Sequence, residues 1–139
     1  MIAYFSVGQR ATATRVFTSE DVRSYAALTG DNNPLHVDSE YANSGAFGRT
    51  IVHGLLTATL FTQIVGGQLP GPGSVYAGQL LKFLKPVHVG EPVTATVEIV
   101  SINRRRGVVR LATRAETAQG LVVDGEAVVR LPRDTGPSG

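Results

Sequence analysis

Alternation of apolar and polar side chains is the clearest pattern in the second half of the chain. In the segment 92–102 every second residue from Val93 to Ile99 is apolar, and the residues between them are Thr or Glu. A period of two residues predicts a strand with one buried face. Short turns separate three further segments that alternate in the same way and predict consecutive antiparallel strands: 74–87, 107–117 and 120–132.

The first half of the chain shows helical spacing instead. The segment "TSEDVRSYAALTG" offers Thr18 or Ser19 as an N-cap, carries acids in its first turn and ends at a glycine. Its apolar residues Val22, Tyr25 and Leu28 recur at every third position, so we expect one buried face. A shorter helix is predicted near 39–46, with the preceding aspartate as its cap.

The third predicted helix, roughly 54–66, is apolar on nearly all sides and must therefore be surrounded by protein. With a first strand at 11–17, the chain offers five long strands and one wholly apolar helix. The economical arrangement is α+β, a curved antiparallel sheet wrapped around the central helix, which is called the hot dog fold. We expect one domain over residues 1–132 and a disordered tail over 133–139, which is small, polar and proline-rich.

Composition excludes several classes of protein. The chain of 139 residues is 42% hydrophobic and 17% charged, with a formal net charge of only +2, so neither disorder nor a nucleic-acid partner is expected. There is no cysteine, and no apolar run is long enough for a signal peptide or a membrane span. These features predict a cytoplasmic protein without a membrane partner. The exposed sheet edge of the predicted fold, with apolar surface beside the helix, predicts a homodimer.

The polar loop "TGDNNPLHVD" (29–38) carries the candidate chemistry. Pro34 stiffens the loop, and Asp31 and His36 are close enough in sequence for both side chains to face one pocket. A carboxylate and an imidazole at one site can hold a water and exchange protons with it. The residues also suit Asx turns and an ordinary packed histidine. A metal set of His36, Asp38 and His53 lacks a typical ligand spacing, so no metal is expected.

A second candidate feature is the start of the apolar helix, in the sequence "TIVHGLL". His53 and Gly54 lie where the helix begins, and a helix N-terminus presents unpaired N–H groups and the positive end of its dipole. Glycine lets a ligand approach the backbone closely. This backbone can stabilise an oxygen that develops negative charge, although glycine can also start a helix in a crowded place and His53 can cap or pack.

The stretch "YAALTGDNNPLHVDSEYANSGAFGRTIVHGLL" resembles the signature of the R-specific enoyl-CoA hydratases of the MaoC-like superfamily. The similarity continues through "QLPGPGSVYAGQLLKFLKPVHVGEPV" and covers about residues 5–132. The length is similar to that of the short, single-domain members that are linked to polyhydroxyalkanoate monomer supply. Nine residues match the hydratase motif: Tyr25, Leu28, Thr29, Gly30, Asp31, Asn33, Pro34, Leu35 and His36.

The resemblance implies hydration of a trans-2-enoyl-CoA to the (R)-3-hydroxyacyl-CoA, with dehydration as the reverse reaction. Asp31 and His36 would hold the water, either of them being the base, and the Gly54 N–H would bind the thioester oxygen. Asn33 would orient the loop, and Thr62 would supply a hydroxyl where relatives carry one near the dyad. The resemblance implies no metal or redox cofactor, because CoA is part of the substrate.

The same resemblance implies a tunnel for the acyl chain and cations for the CoA phosphates. The apolar residues that we expect to line the tunnel are Leu56, Val65, Leu69 and Val75. The cations that we expect near the phosphates are Arg49, Arg104 and Arg105, although a turn with three arginines is usually just solvated.

Three other functions compete with the hydratase. A hot dog thioesterase, and likewise a typical hydroxyacyl-carrier-protein dehydratase, carries a carboxylate on the central helix, and "GLLTATLFTQIV" has none. A related dehydratase would prefer a carrier-protein thioester to a CoA thioester. A non-catalytic acyl-CoA binding module would bind without turnover. The presence of all the implied catalytic residues in one chain favours the hydratase.

Overall fold

The computed structural model describes residues 1–132. The chain forms five strands and four α-helices over this range, after a short 3-10 helix at Ile2–Tyr4, and the α+β prediction is confirmed. The predicted disorder of 133–139 lies outside the described residues. The elements in chain order are β1 (Arg10–Val16), α1 (Ser19–Thr29), α2 (Pro34–Val37), α3 (Ser39–Asn43), α4 (Gly54–Gly67), β2 (Val75–Phe83), β3 (Pro92–Asn103), β4 (Val108–Thr117) and β5 (Gly120–Arg130).

The five strands form one antiparallel sheet in the order β1-β3-β4-β5-β2. Register shifts interrupt three of the four strand pairings, and such bulges increase the local twist of a sheet. At Gly125 in β5, a Cβ atom would lie 2.0 Å from the backbone oxygen of Leu80, so only glycine lets β2 approach this closely.

The helix α4 packs on the sheet as the apolar pattern predicts. Leu60, Phe61 and Ile64 are almost completely buried, and on β3 the alternating residues from Val93 to Ile99 are fully buried. Burial on this scale is the main force that holds a helix to a sheet. Within the described chain, no helix combines the length and hydropathy that crossing a membrane would require.

Two local predictions need correction. Leu28 is not buried but 86% exposed, and Val22 and Ala26 form the buried face of α1. At 3.6 residues per turn, Val22 and Ala26 lie about 40° apart around the helix, whereas Leu28 lies about 120° from Val22. The loop after α1 also contains a helical turn that was not predicted, α2, before the short helix capped by Asp38.

Candidate active site

The loop after α1 is fixed by hydrogen bonds between near neighbours. Gly30 ends α1 with a left-handed backbone, at φ 83°. The Asp31 carboxylate then accepts from the Asn33 N–H at 3.2 Å, and the Asn33 side chain accepts from the Leu35 N–H at 3.1 Å. Each is an Asx turn, and the second caps α2 just before the proline at its first position. Asn33 therefore contacts the loop backbone, and this positions the turn that carries His36.

His36 is anchored to the segment that precedes α4. Its Nδ1 lies 2.7 Å from the backbone oxygen of Ile51. A carbonyl oxygen can only accept a hydrogen bond, so Nδ1 carries the proton. In the neutral ring the lone pair is then on Nε2, which is the arrangement of a general base.

The first turn of α4 presents backbone N–H groups without a side-chain cap. His53 is the N-cap residue and its side chain makes no capping hydrogen bond, while Gly54 is the first helical residue. The N–H of a first helical residue has no acceptor within its own helix. A Cβ atom at position 54 would lie 2.7 Å from the ring of Phe83, so the absence of a side chain lets this ring pack against the helix start.

A cavity of about 500 Å³ joins the loop to the helix start. Asp31, His36 and Gly54 all line it, so the structure brings the three predicted catalytic residues together. The volume is typical of a cavity that binds a small organic ligand. Its apolar walls come from four segments of the chain and include Phe47, Val52, Leu55, Phe83, Leu84, Val87 and Val123.

The geometry of the polar groups suits a water better than a metal ion. Three polar atoms lie within 4.8 Å of one another: a carboxylate oxygen of Asp31 and one ring nitrogen each of His36 and His53. Two hydrogen bonds of about 2.8 Å can span such a separation through one water. The rings of His36 and His53 are stacked at 3.8 Å with planes 27° apart, and each ring already uses one nitrogen as a donor to a backbone oxygen, His36 to Ile51 and His53 to Asp31.

His53 is the main residue of the site whose contacts the sequence did not predict. It is only 3% exposed, and its Nε2 lies 3.1 Å from the backbone oxygen of Asp31. Burial lowers the pKa of His53, and the neighbouring His36 acts in the same direction, against the hydrogen bond to Asp31. These contacts join residues 17 and 22 positions apart. The lone signal in the sequence was a histidine directly before the helix-starting glycine.

Several predicted substrate residues lie away from this cavity in the described chain. Leu56, Val65 and Leu69 belong to the buried core between α4 and the sheet. Val75 is 60% exposed at the start of β2, and Thr62 is exposed on α4. None of the five lines the cavity, whose buried hydroxyl is that of Thr57 instead.

The predicted cations also lie elsewhere. The Arg104 guanidinium donates to the backbone oxygens of Ile2 and Phe5, both at 2.8 Å, and so fastens the chain start to the β3–β4 turn. Arg49 and Arg105 are exposed and do not line the cavity. Within residues 1–132, Lys85 is the one lysine or arginine that does line it.

In this fold, a helix N-terminus and an acid–imidazole pair lie at one apolar cavity. Comparison with known proteins identifies the family. The family model described as "MaoC like domain" matches residues 6–120. The chain therefore belongs to the MaoC-like family, which confirms the resemblance seen in the sequence.

Individual relatives are similar over about nine tenths of this chain. The chain is 49% identical to the (R)-specific enoyl-CoA hydratase of Aeromonas caviae over 127 residues, 91% of this chain and 95% of that protein. It is 38% identical to a mitochondrial 3-hydroxyacyl-[acyl-carrier-protein] dehydratase of Solanum lycopersicum, covering 91% of this chain and 77% of that protein.

Solved structures place the fold among the hot dog proteins, as predicted. The (R)-hydratase from A. caviae that is involved in PHA biosynthesis superposes with a TM-score of 0.90 at 48% identity, covering 93% of this chain and 98% of that one. R-hydratase PhaJ1 from Pseudomonas aeruginosa also gives 0.90, at 37% identity, covering 96% of this chain and 86% of that one.

Proposed function

We propose that this protein catalyses the R-specific hydration of trans-2-enoyl-CoA to (R)-3-hydroxyacyl-CoA, and the reverse dehydration. The observation that carries this proposal is the convergence of Asp31, His36 and the uncapped Gly54 N–H on one apolar cavity. The prediction of a hydro-lyase is confirmed, since the relatives over nearly the whole chain are named for hydration or dehydration.

In the proposed mechanism, Asp31 and His36 hold one water above C3 of the enoyl group. One of the two takes a proton from the water as its oxygen bonds to C3, and the electron pair of the double bond moves toward the thioester carbonyl. The enolate oxygen accepts from the Gly54 N–H, where a single well-placed donor is worth about 3 kcal/mol in the barrier. The proton then returns to C2 on the same face, which completes a syn addition.

The proposed substrate carries phosphates, and Lys85 is the cation best placed for them. Lys85 lines the cavity, and its Nζ donates to the backbone oxygen of Gln119 at 2.7 Å. An ammonium has three N–H donors, so two stay available for a phosphate oxygen. The phosphate-binding role predicted for Arg49, Arg104 and Arg105 stays a prediction. The acyl-tunnel role predicted for Leu56, Val65, Leu69 and Val75, and the hydroxyl role of Thr62, stay predictions too.

The main alternative is a dehydratase that acts on carrier-protein thioesters. The relative from S. lycopersicum is named for that substrate, and its identity is lower than that of the CoA hydratase from A. caviae. The two hypotheses share the chemistry at Asp31 and His36 and differ in what carries the acyl group. A thioesterase is disfavoured, because α4 contains neither Asp nor Glu.

We also propose a homodimer that forms along the free edge of β2. Among the described strands, β2 pairs with β5 alone, so its other edge leaves backbone groups unpaired. Val75, Leu80 and Phe83 on this strand are more than half exposed. Light scattering should then give twice the 14.7 kDa chain mass.

The absence of a cofactor requirement and the cytoplasmic location stay predictions.

The experiment that tests the function follows the loss of the enoyl-thioester absorbance. Crotonyl-CoA, a longer 2-enoyl-CoA and crotonyl-carrier protein are compared, and the chirality of the product is read with (R)- and (S)-specific dehydrogenases. Faster hydration of the CoA thioesters to a product that only the (R)-specific enzyme accepts is expected. Preference for the carrier-protein thioester would favour the alternative, and release of free thiol would make the protein a thioesterase.

A further inference from the structure

His53 contacts both predicted acid–base residues of the candidate site, although the mechanism assigns it no chemistry. Its ring stacks on His36 at 3.8 Å and contacts the Tyr25 ring at 4.6 Å. Its Nε2 reaches the Asp31 backbone oxygen at 3.1 Å, and its own backbone precedes Gly54 as the N-cap of α4. One residue therefore contacts the backbone of Asp31 and the ring of His36, and directly precedes the backbone donor of the proposed reaction.

The hydrogen bond determines which nitrogen of His53 carries the proton. The Asp31 backbone oxygen can only accept, so Nε2 donates. Nδ1 is buried and has no hydrogen-bond partner among residues 1–132. An N–H or a charge left without a partner at a buried position is more costly than a bare lone pair, so this environment favours the neutral ring with Nε2 protonated.

We propose that His53 is a positioning residue: its Nε2–H holds the backbone of Asp31 while its ring face holds His36, so that both groups face the same water. The inference rests on the proposed hydration reaction. His53 touches neither the water nor the thioester in this scheme and acts only through Asp31 and His36. A displacement of about 1 Å in a reacting group can lower a rate about 10²-fold, which makes such support matter for turnover.

Two substitutions separate the hydrogen bond from the packing. His53→Phe keeps a buried aromatic ring against His36 and loses the donor to Asp31. His53→Gln loses the ring and keeps an N–H donor at the position of Nε2. With crotonyl-CoA, we expect kcat of His53→Phe to fall about 10²-fold while KM changes little, and His53→Gln to recover part of that loss.

His88 provides a matched control. Its Nε2 also bonds to a backbone oxygen, that of Phe47 at 3.2 Å, while its buried Nδ1 lies 3.7 Å from the Glu91 carboxylate. It does not line the cavity. We expect His88→Gln to leave kcat unchanged even where it lowers the melting temperature. Unchanged kcat in His53→Phe, or equal kcat losses in His53→Phe and His53→Gln that follow their melting temperatures, would overturn the proposal.

A spectroscopic measurement on the wild-type protein distinguishes this inference from the proposed function. Long-range ¹H–¹⁵N correlation spectra at pH 7 identify which ring nitrogens carry protons. We expect His53 to be neutral and protonated on Nε2, and a charged ring or the Nδ1–H tautomer would overturn the inference. Absence of turnover with every thioester would instead refute the proposed function, while the spectrum would still decide the state of His53.

Discussion

The loop from Thr29 to Asp38 and the first turn of α4 face each other across the same cavity, but different interactions hold them in place. The loop is mostly exposed, and its Thr29, Asp31 and Asn33 side chains accept from backbone N–H groups two positions away, while the His36 ring bonds to the backbone of Ile51, 15 positions away. At the helix start His53 is buried and Gly54 half-buried, and their contacts reach 22 residues back from His53 to Asp31 and 29 residues forward from Gly54 to Phe83. The loop supplies the acid–base side chains, and the first turn of α4 supplies a backbone dipole beside an apolar cavity.

This difference separates two requirements of the proposed reaction. Groups that exchange protons with water need access to it, and Asx turns fix the backbone at Asp31 while its carboxylate stays exposed. A backbone donor for a developing oxyanion is most effective where water is excluded, which requires packing from distant segments. Substitutions in the loop should therefore change chemistry with little loss of stability, and substitutions at the helix start should change both.

The largest effect is expected for Asp31→Asn. The amide can still accept from the Asn33 N–H, so the Asx turn and the fold are kept, while the proton acceptor is lost. We expect kcat for crotonyl-CoA hydration to fall about 10²–10⁴-fold with an unchanged melting temperature. Asp38→Asn is the matched control, because Asp38 caps α3 and asparagine caps equally well. A fall in stability as large as the fall in kcat would contradict the separation between the two regions.

A smaller effect is expected for Gly54→Ala, which keeps the N–H but adds a methyl group 2.7 Å from the Phe83 ring. The ring must shift, and we expect kcat/KM to fall about 10-fold through misplacement of the helix start against the substrate. Gly66→Ala, where an added Cβ meets nothing within 4 Å, is the control on the same helix. In the double variant with Phe83→Ala, the loss from Gly54→Ala should shrink. Simple additivity of the two losses would show that the ring is not the cause.

The pH dependence of stability tests the burial of the helix start directly. Burial holds the pKa of His53 below its ordinary value of 6.5. As the pH falls, His53 therefore becomes protonated in the unfolded chain before it does in the folded protein, and this favours unfolding. The contribution of His53 to the free energy of unfolding is constant above pH 6.5. It decreases below pH 6.5, by less than about 1.4 kcal/mol per pH unit. Denaturant unfolding from pH 7.5 to 5 should show this decline in the wild type and a weaker one in His53→Gln. Equal slopes would mean that His53 titrates alike in both states.

The same contrast explains which parts of the site the sequence predicted. Asp31 and His36 were candidates because they lie close together in a short loop that proline stiffens, whereas the role of Asn33 came only from the family resemblance. The alternating strands and the apolar helix were predicted because periodicity reflects burial. The His53 contacts and Lys85 were missed because they depend on which distant segments meet. The prediction that Leu28 is buried was wrong because residues three positions apart do not stay on one face of a helix with 3.6 residues per turn.

The smallest effect is expected for substitution of Lys85, which belongs neither to the loop nor to the first turn of α4. Its ammonium is exposed, and an exposed ion pair contributes about 0–1 kcal/mol, so Lys85→Ala should raise KM for crotonyl-CoA at most about 5-fold and leave kcat unchanged. The exposed Lys82, which does not line the cavity, is the matched control for charge. A crotonyl-pantetheine thioester, which lacks the phosphates, should show no difference between wild type and Lys85→Ala. A lower kcat with that truncated substrate would mean that Lys85 supports the wall of the cavity, because only a structural role would act on a substrate without phosphates.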